Sequence, residues 1–116
     1  MSDAAVGKRA LTGRRVLELA DEKGVYCGKL LADMGADVIK IEKPGGDATR
    51  DIPPFWGDQR HPERSLFFLY TNTSKRGVTL DITRVEGQGL FRRLVQTADM
   101  VLETFPGPCQ RSAPAV

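Results

Sequence analysis

The chain has 116 residues, a formal net charge of +2 at neutral pH, 41% hydrophobic residues and 28% charged residues. This length suits one domain, and the charge balance is too mild to indicate a nucleic-acid-binding protein. No stretch reaches the about 20 apolar residues of a membrane span. Two cysteines and one histidine cannot form a four-ligand zinc site without carboxylates. We therefore expect a cytoplasmic protein with no metal and with neither nucleic acid nor membrane among its partners.

The first half of the chain is patterned as strand, helix and strand. Residues 15–19 (RVLEL) and 37–42 (DVIKIE) are short β-type runs. Between them, residues 24–34 carry apolar side chains at helical spacing, which predicts a helix with one buried stripe. The stripe consists of Cys27, Leu30, Leu31 and Met34. On this pattern Cys27 is predicted to be a small core residue.

A long loop follows. Residues 43–64 hold four prolines and three glycines, so we predict a loop, and one of this length is usually functional. Residues 65–72 predict a short buried helix, with the aromatic run 67–70 in the core. Trp56 fits either the edge of a core or the border of a ligand site, and His61 is predicted to be a solvated loop residue.

The second half adds strand, helix and strand. A third strand is predicted around residues 78–82 and a fourth at 100–105. Between them, Thr83 and Glu86 form the Ser/Thr-x-x-Glu pattern of a capping box, which predicts a helix that starts there and runs to about residue 97. Its apolar face consists of Leu90, Phe91, Leu94 and Val95.

This alternation predicts an α/β fold with a doubly wound parallel sheet of about four strands, in the order 3-2-1-4, with helices on both faces. Residues 1–13 are predicted to be a loose arm, 14–107 the folded domain and 108–116 an unstructured tail. Because nothing after residue 107 has a core-forming pattern, we expect the sheet to be incomplete. Ligands of such sheets bind beyond the carboxyl ends of the strands, here between residues 20–24 and 104–107.

Two kinds of ligand fit that position. Glu42 at the end of the second strand would suit the ribose of a dinucleotide, but the G-x-G-x-x-G fingerprint is absent. Asp21 and Glu22 also place carboxylates where a pyrophosphate needs bare backbone N–H groups. An anionic ligand is better supported, since four cations lie in or next to loops, although each also fits solvated surface charge. These cations are Lys43, Arg50, Lys75 and Arg76.

Four segments carry further information: residues 11–18, 28–50 (GKLLADMGADVIKIEKPGGDATR), 68–82 (FLYTNTSKRGVTLDI) and 98–107 (ADMVLETFPG). Over residues 11–107 the chain resembles the family III CoA-transferases in these segments. The blocks GADVIKIEKPGGD and N-x-x-KR-G-V-x-LD make the resemblance specific.

The resemblance implies a Rossmann-like large domain that binds coenzyme A or acyl-CoA as substrate, together with a carboxylic acid, in a full-length homodimer that uses no metal. Carried over by motif, the CoA contacts follow each of the four strands in turn. They are Glu22, Lys23, Lys43, Leu80, Asp81, Ile82, Thr83, Thr104, Phe105 and Pro106.

The resemblance also implies a catalytic aspartate that attacks the acyl-CoA carbonyl and becomes an aspartyl-CoA thioester. No aspartate of this chain matches it by motif, and the similarity stops at Gly107. We therefore expect an amino-terminal fragment with no catalytic residue and no activity by itself. The alternatives are a non-catalytic module that binds CoA or a nucleotide, an inactive fragment, or, within the same family, an acyl-CoA racemase.

Overall fold

The computed structural model describes residues 7–104, which form a four-stranded parallel sheet. The strands are β1 (Arg15–Leu19), β2 (Asp37–Glu42), β3 (Arg76–Thr79) and β4 (Met100–Glu103). Their order is β3-β2-β1-β4, so the predicted order 3-2-1-4 is confirmed. All four carboxyl ends therefore meet at one edge of the sheet, which we call the carboxyl edge.

Helices cover both faces of this sheet. They are α1 (Val25–Asp33), α2 (Leu66–Thr71) and α3 (Val85–Val95). Side chains alternate between the two faces along each strand, so one strand serves two cores. Leu17 and Ile39 pack with Phe91 of α3 on one face, whereas Val16 and Val38 pack with Ala32 of α1 on the other.

Helix α1 forms where predicted, but of the four residues of the expected apolar stripe only Leu31 packs on the core. Cys27 is exposed, and Leu30 and Met34 are 43% and 45% exposed, so the prediction that Cys27 lies in the core is wrong. The buried residues are Val25, Gly28 and Ala32. Gly28 lets the helix lie close to the Glu18 carboxylate, because a Cβ at this position would lie 1.7 Å from Glu18 Oε1.

The long loop contains short 3₁₀ turns at Ala48–Asp51 and Trp56–Asp58. It is joined to α2 at Ser65, whose hydroxyl donates to the carbonyl of Ile52 and accepts from the N–H of Phe68. The short helix is thus confirmed, but the prediction that its aromatic run is buried fails at two of the four positions. Leu69 and Tyr70 are 48% and 59% exposed, while the two phenylalanines before them are half-buried.

The elements of the second half are shifted from their predicted positions. Strand β3 begins and ends earlier than predicted, and residues 80–84 form the turn that leads to α3. The capping box is wrong, because the hydroxyl of Thr83 donates to Asp81 and the N-cap residue is Arg84. Helix α3 ends at Val95 and strand β4 at Glu103, and Leu90 of the predicted apolar face is half exposed.

The segment before β1 packs on the rest of the chain. The N–H of Leu11 donates to the carbonyl of Met34 at 3.0 Å, and the Leu11 side chain packs against the α1-side core. The domain boundary at residue 14 remains a prediction. None of the helices within residues 7–104 is long and apolar enough to cross a membrane.

Candidate functional site

The carboxyl edge carries the described residues predicted to contact CoA. The loop after β1 and the residue after β4 are tied together through Asp21. Its N–H donates to the Thr104 hydroxyl at 3.0 Å, and this hydroxyl donates to Asp21 Oδ1 at 2.9 Å. A Cβ on Gly24 would lie 2.4 Å from Thr104 Cγ2, so only glycine lets the loop approach this closely. Loops that are 83 residues apart in sequence thus meet at the predicted crevice.

Lys23 is also held by Asp21, whose carboxylate accepts from both its backbone N–H and its ammonium. Burial works to raise the pKa of Asp21, but the hydrogen bonds from Lys23 and Thr104 outweigh it and lower the pKa. Glu22 is exposed. The structure therefore places Glu22 and Lys23 at the crevice, with the cation already paired.

The turn after β3 presents mainly polar groups to the edge. Leu80 and Ile82 are half-buried against the α3-side core, so their side chains face inward. Asp81 Oδ1 accepts from the Thr83 N–H at 3.0 Å and from its hydroxyl at 2.5 Å, and these bonds lower the pKa of Asp81. Phe105 and Pro106 lie outside the described residues.

Lys43 directly follows β2 and is exposed, and its ammonium makes no ion pair with any residue between 7 and 104. Four carboxylates share the edge with Lys43 and with the cations Lys23 and Arg84. They belong to Asp21, Glu22, Asp81 and Glu103. Lys43 is thus available to an anionic ligand, although the described edge carries no excess of positive charge.

The other three cations singled out in the sequence are paired within the fold. Arg50 forms a bidentate pair with Glu42, at 2.7 Å and 2.8 Å, and stacks on Phe68. The guanidinium of Arg76 donates twice to Asp37. The proposal that these cations bind an anionic ligand is therefore not supported for Arg50 or Arg76. Because Arg50 occupies both carboxylate oxygens of Glu42, the dinucleotide hypothesis also loses its ribose contact.

Lys75 is buried and belongs to a charged cluster that the sequence reading did not identify. Its ammonium lies 2.6 Å from Glu18 Oε1, and Glu18 Oε2 accepts from Lys40 at 3.0 Å. Burial lowers the pKa of Lys75, while the Glu18 carboxylate opposes that shift. A signal was present in the sequence, since Glu18 and Lys40 each interrupt the apolar interior of a predicted strand, RVLEL and DVIKIE. Their signs are opposite, and the observed register pairs Glu18 with Lys40.

A cavity of about 840 Å³ lies at the opposite, amino edge of the sheet. Its lining includes Arg14, Arg15 and Arg76, but carboxylates already neutralise part of this charge. Arg15 and Arg76 both pair with Asp37, and Arg14 lies 3.7 Å from Asp99. This cavity therefore lies away from the carboxyl ends of the strands, at which ligands of doubly wound sheets bind. Its volume alone does not identify the candidate site.

Other chemistry has little support in the described part of the chain. Residues 7–104 bring together no group of three His, Cys, Asp or Glu side chains that could hold a metal ion. His61 is exposed in the loop and its Nδ1 accepts from the backbone N–H of Glu63. Trp56 is 64% exposed, and the guanidinium of Arg64 lies over its ring.

The parallel α/β sheet in the order β3-β2-β1-β4 is a doubly wound architecture, a class of fold in which ligands bind beyond the carboxyl ends of the strands. The family model for CoA-transferase family III matches residues 11–111, and the chain belongs to that family.

Among curated relatives, the succinyl-CoA–D-citramalate CoA-transferase of Chloroflexus aurantiacus is 48% identical over 102 residues, which is 85% of this chain and 24% of the relative. The succinate–glutarate CoA-transferase of Agrobacterium fabrum is 45% identical over 109 residues, covering 90% of this chain and 27% of the relative. A solved CaiB/BaiF family protein from Brucella suis superposes with a TM-score of 0.77 at 39% identity, over 91% of this chain and 29% of that one. The chain thus spans about a quarter of the length of these relatives.

Proposed function

We propose that this chain is the CoA-binding part of a CoA-transferase that moves CoA between an acyl-CoA and a carboxylic acid. One observation carries the proposal: the family match covers the segments that end in the four loops of the carboxyl edge. The predicted contacts Glu22, Lys23, Lys43, Asp81 and Thr104 all lie on those loops. The Leu80 and Ile82 contacts would be made by backbone, because their side chains pack inward.

The substrates of the whole protein belong to the same proposal. The relatives include transferases named for succinyl-CoA with D-citramalate, with mesaconate and with benzylsuccinate, and one named for succinate and glutarate. These acids are all dicarboxylic. We therefore propose a dicarboxylic acyl-CoA as donor and a dicarboxylic acid as acceptor, in a full-length cytoplasmic homodimer.

The proposed reaction needs a carboxylate nucleophile that becomes an aspartyl-CoA thioester, and we place it outside this chain. The contacts of the two aspartates at the carboxyl edge support this placement. The Asp21 carboxylate accepts from Lys23 and Thr104, and the Asp81 carboxylate accepts from Thr83, so both are already engaged within the fold. The same observation favours the second candidate, a module that binds CoA without turning it over.

Isothermal titration calorimetry with CoA tests the binding proposal. We expect a Kd of about 1 mM or tighter, equivalent to about 4 kcal/mol of binding free energy. Absence of binding at millimolar CoA would reject the proposal for this chain. Mass spectrometry after incubation with succinyl-CoA tests the placement of the nucleophile, since an aspartyl-CoA adduct on the purified chain would show that it lies within these 116 residues.

A further inference from the structure

Four charged side chains form a buried cluster beneath α1, which we call the ion network: Glu18, Lys40, Lys75 and Asp47. Glu18 is fully buried, and the side chains of Lys40 and Lys75 are 4% and 2% exposed. Lys40 also lies 3.4 Å from Asp47, so two ammonium groups face two carboxylates and the charges balance. Buried ion pairs of this kind add little net stability compared with apolar residues of the same volume, because desolvation offsets their attraction. A role in fixing geometry accounts for them better.

One arm of the ion network holds the start of α1. The ammonium of Lys75 donates to the carbonyl of Val25 at 2.9 Å and to Asn72 Oδ1 at 2.8 Å, in addition to its pair with Glu18. Val25 is the first residue of α1 and directly follows the loop 20–24. The N–H groups of Gly24 and Val25 both donate to the carbonyl of Asp21. Lys75 thus links a buried charge to the loop that carries Glu22 and Lys23.

The second arm holds the turn after β2. Asp47 pairs with Lys40 through its carboxylate, and its backbone N–H donates to Glu42 Oε2 at 2.8 Å. The turn is closed by a bond from the N–H of Gly46 to the carbonyl of Lys43 at 3.0 Å. The position of Lys43 therefore depends on Asp47.

The helix is seated directly on this cluster. A Cβ on Gly28 would lie 1.7 Å from Glu18 Oε1 and 3.2 Å from Lys75 Cε. Gly28 of α1 therefore packs directly against the ion network, with no room for a side chain. The network is thus coupled to the helix at Gly28, and to the loop before the helix through the bond from Lys75 to Val25.

We propose that Glu18, Lys40, Lys75 and Asp47 are positioning residues that hold the loops 20–24 and 43–47 in register for binding of a CoA-type ligand. The proposal rests on the proposed function for its ligand, but the geometry that it assigns is a property of the free protein. None of the four side chains has to touch the ligand. Their effect is transmitted through Val25 and through the turn that carries Lys43.

The test separates charge balance from positioning. Glu18→Gln and Lys75→Met each leave one uncompensated buried charge, so we expect each single variant to unfold at lower urea than wild type. The double variant keeps the balanced pair of Lys40 and Asp47 and should recover most of the lost stability. It still lacks the bond to the Val25 carbonyl, so its CoA affinity should stay about fivefold weaker than wild type, the effect of one hydrogen bond.

Lys29→Met is the matched control, because Lys29 lies on α1 but pairs with Asp33 and Thr73 outside the ion network. We expect it to bind CoA as wild type does. A folded double variant with wild-type CoA affinity would overturn the proposal. If wild type itself binds no CoA, the proposed function fails, and amide chemical shifts of the free protein decide the positioning role. Shifts of residues 20–25 in the double variant support the role, and unchanged shifts overturn it.

Asp47→Asn provides a second variant should the double variant not fold. It leaves one uncompensated charge and also alters the group that accepts from the Thr49 hydroxyl, but Asp47 is the most exposed member of the network at 14%, so the sheet and α1 keep their other contacts. We expect amide shifts confined to residues 42–49 and weaker CoA binding. Unchanged shifts and unchanged affinity would overturn the assignment of the second arm.

Discussion

Lys43 is the residue whose role at the candidate site can be tested most directly. Its ammonium is exposed at the end of β2, so we expect Lys43→Ala to weaken CoA binding by about 1 kcal/mol, the scale of one charge-assisted hydrogen bond. Stability should stay unchanged, because the side chain makes no ion pair with the described residues. Calorimetry with CoA measures the effect. Lys8→Ala is the control, an exposed lysine in the segment that lines the amino-edge cavity, and equal CoA affinity in both variants would remove Lys43 from the site.

Single residues show where sequence reasoning succeeded and where it stopped. Lys43, Arg50 and Arg76 look alike in sequence, since each lies next to a predicted loop. Their difference arises from partners that only the fold brings near, such as Asp37 for Arg76, 39 residues away. Conversely, Glu18 and Lys40 break the pattern of two apolar strands, and a predicted parallel pairing of those strands is enough to place the charges together.

At the scale of one helix, α3 offers a matched pair of glycines. A Cβ on Gly87 would lie 1.8 Å from the backbone carbonyl oxygen of Asp81, which cannot move without displacing the turn before the helix. A Cβ on Gly89 would meet nothing within 4 Å. We expect Gly87→Ala to destabilise the protein by about 1–3 kcal/mol through overpacking. Gly89→Ala should stabilise it by about 0.5–1 kcal/mol through higher helix propensity.

Urea unfolding followed by circular dichroism measures both changes. Stabilisation by both substitutions would show that the Asp81 turn yields to α3 and would contradict the close contact.

The long loop is anchored by the pair of Glu42 and Arg50, which makes its stability dependent on pH. The hydrogen bonds from Arg50 lower the pKa of Glu42 in the folded state below its ordinary value of about 4.3. The pair therefore contributes its full stability above that ordinary value, and loses it as the pH falls through the lowered pKa. We expect the stability gap between wild type and Glu42→Gln to be largest near neutral pH and to shrink on acidification below about pH 4.3.

Urea midpoints at several pH values measure this gap, with Glu63→Gln as a control on the more exposed partner of Arg50. A gap that is constant with pH would mean that the pair does not stabilise the loop.

The sequence predicted whether a segment forms a helix or a strand better than it predicted which face of that segment is buried. Within residues 7–104, the four strands and three helices were each predicted as the right type of element, because local pattern decides helix or strand, although β3 lies earlier than predicted. The inward face of α1 was not predicted correctly, because Gly28 lies against the Glu18 carboxylate. With Gly28 on the inner face, Leu30 is exposed, while Leu31 and Ala32 pack on the apolar cluster that contains Val16 and Val38. The capping box failed for a similar reason, since Asp81 competes for the Thr83 hydroxyl.

For the whole molecule, the order of the sheet could be predicted because right-handed crossovers leave few topologies for alternating strands and helices. The candidate site follows from that order, since it sets which strand ends are neighbours. The strand order does not predict which apolar side chains of the helices remain exposed. Apolar side chains of α1 and α2 are exposed, and the two helices meet where the Lys29 ammonium lies 4.6 Å from the centre of the Tyr70 ring. We call these exposed side chains the helical patch: Tyr26, Leu30, Leu69 and Tyr70.

In a solution of the purified chain, the partner available to this patch is a second copy, so we expect self-association that increases with concentration. Sedimentation velocity under reducing conditions, which prevent disulfide formation by the exposed Cys27, should show a weight-average sedimentation coefficient that rises with concentration. Leu30→Glu combined with Leu69→Glu should abolish the rise, because it places charges within the patch while both side chains remain in solvent.

The competing surface is the outer side of β4, which within residues 7–104 pairs only with β1. Edge strands of this kind template contacts with other chains, and a lysine on the strand blocks them. Met100→Lys tests this edge, since Met100 is 49% exposed whereas Val101 packs on the α3-side core. If Met100→Lys alone makes the chain monomeric, association occurs through the sheet edge and the helical patch is excluded. A sedimentation coefficient independent of concentration in the wild-type chain would contradict self-association through either surface.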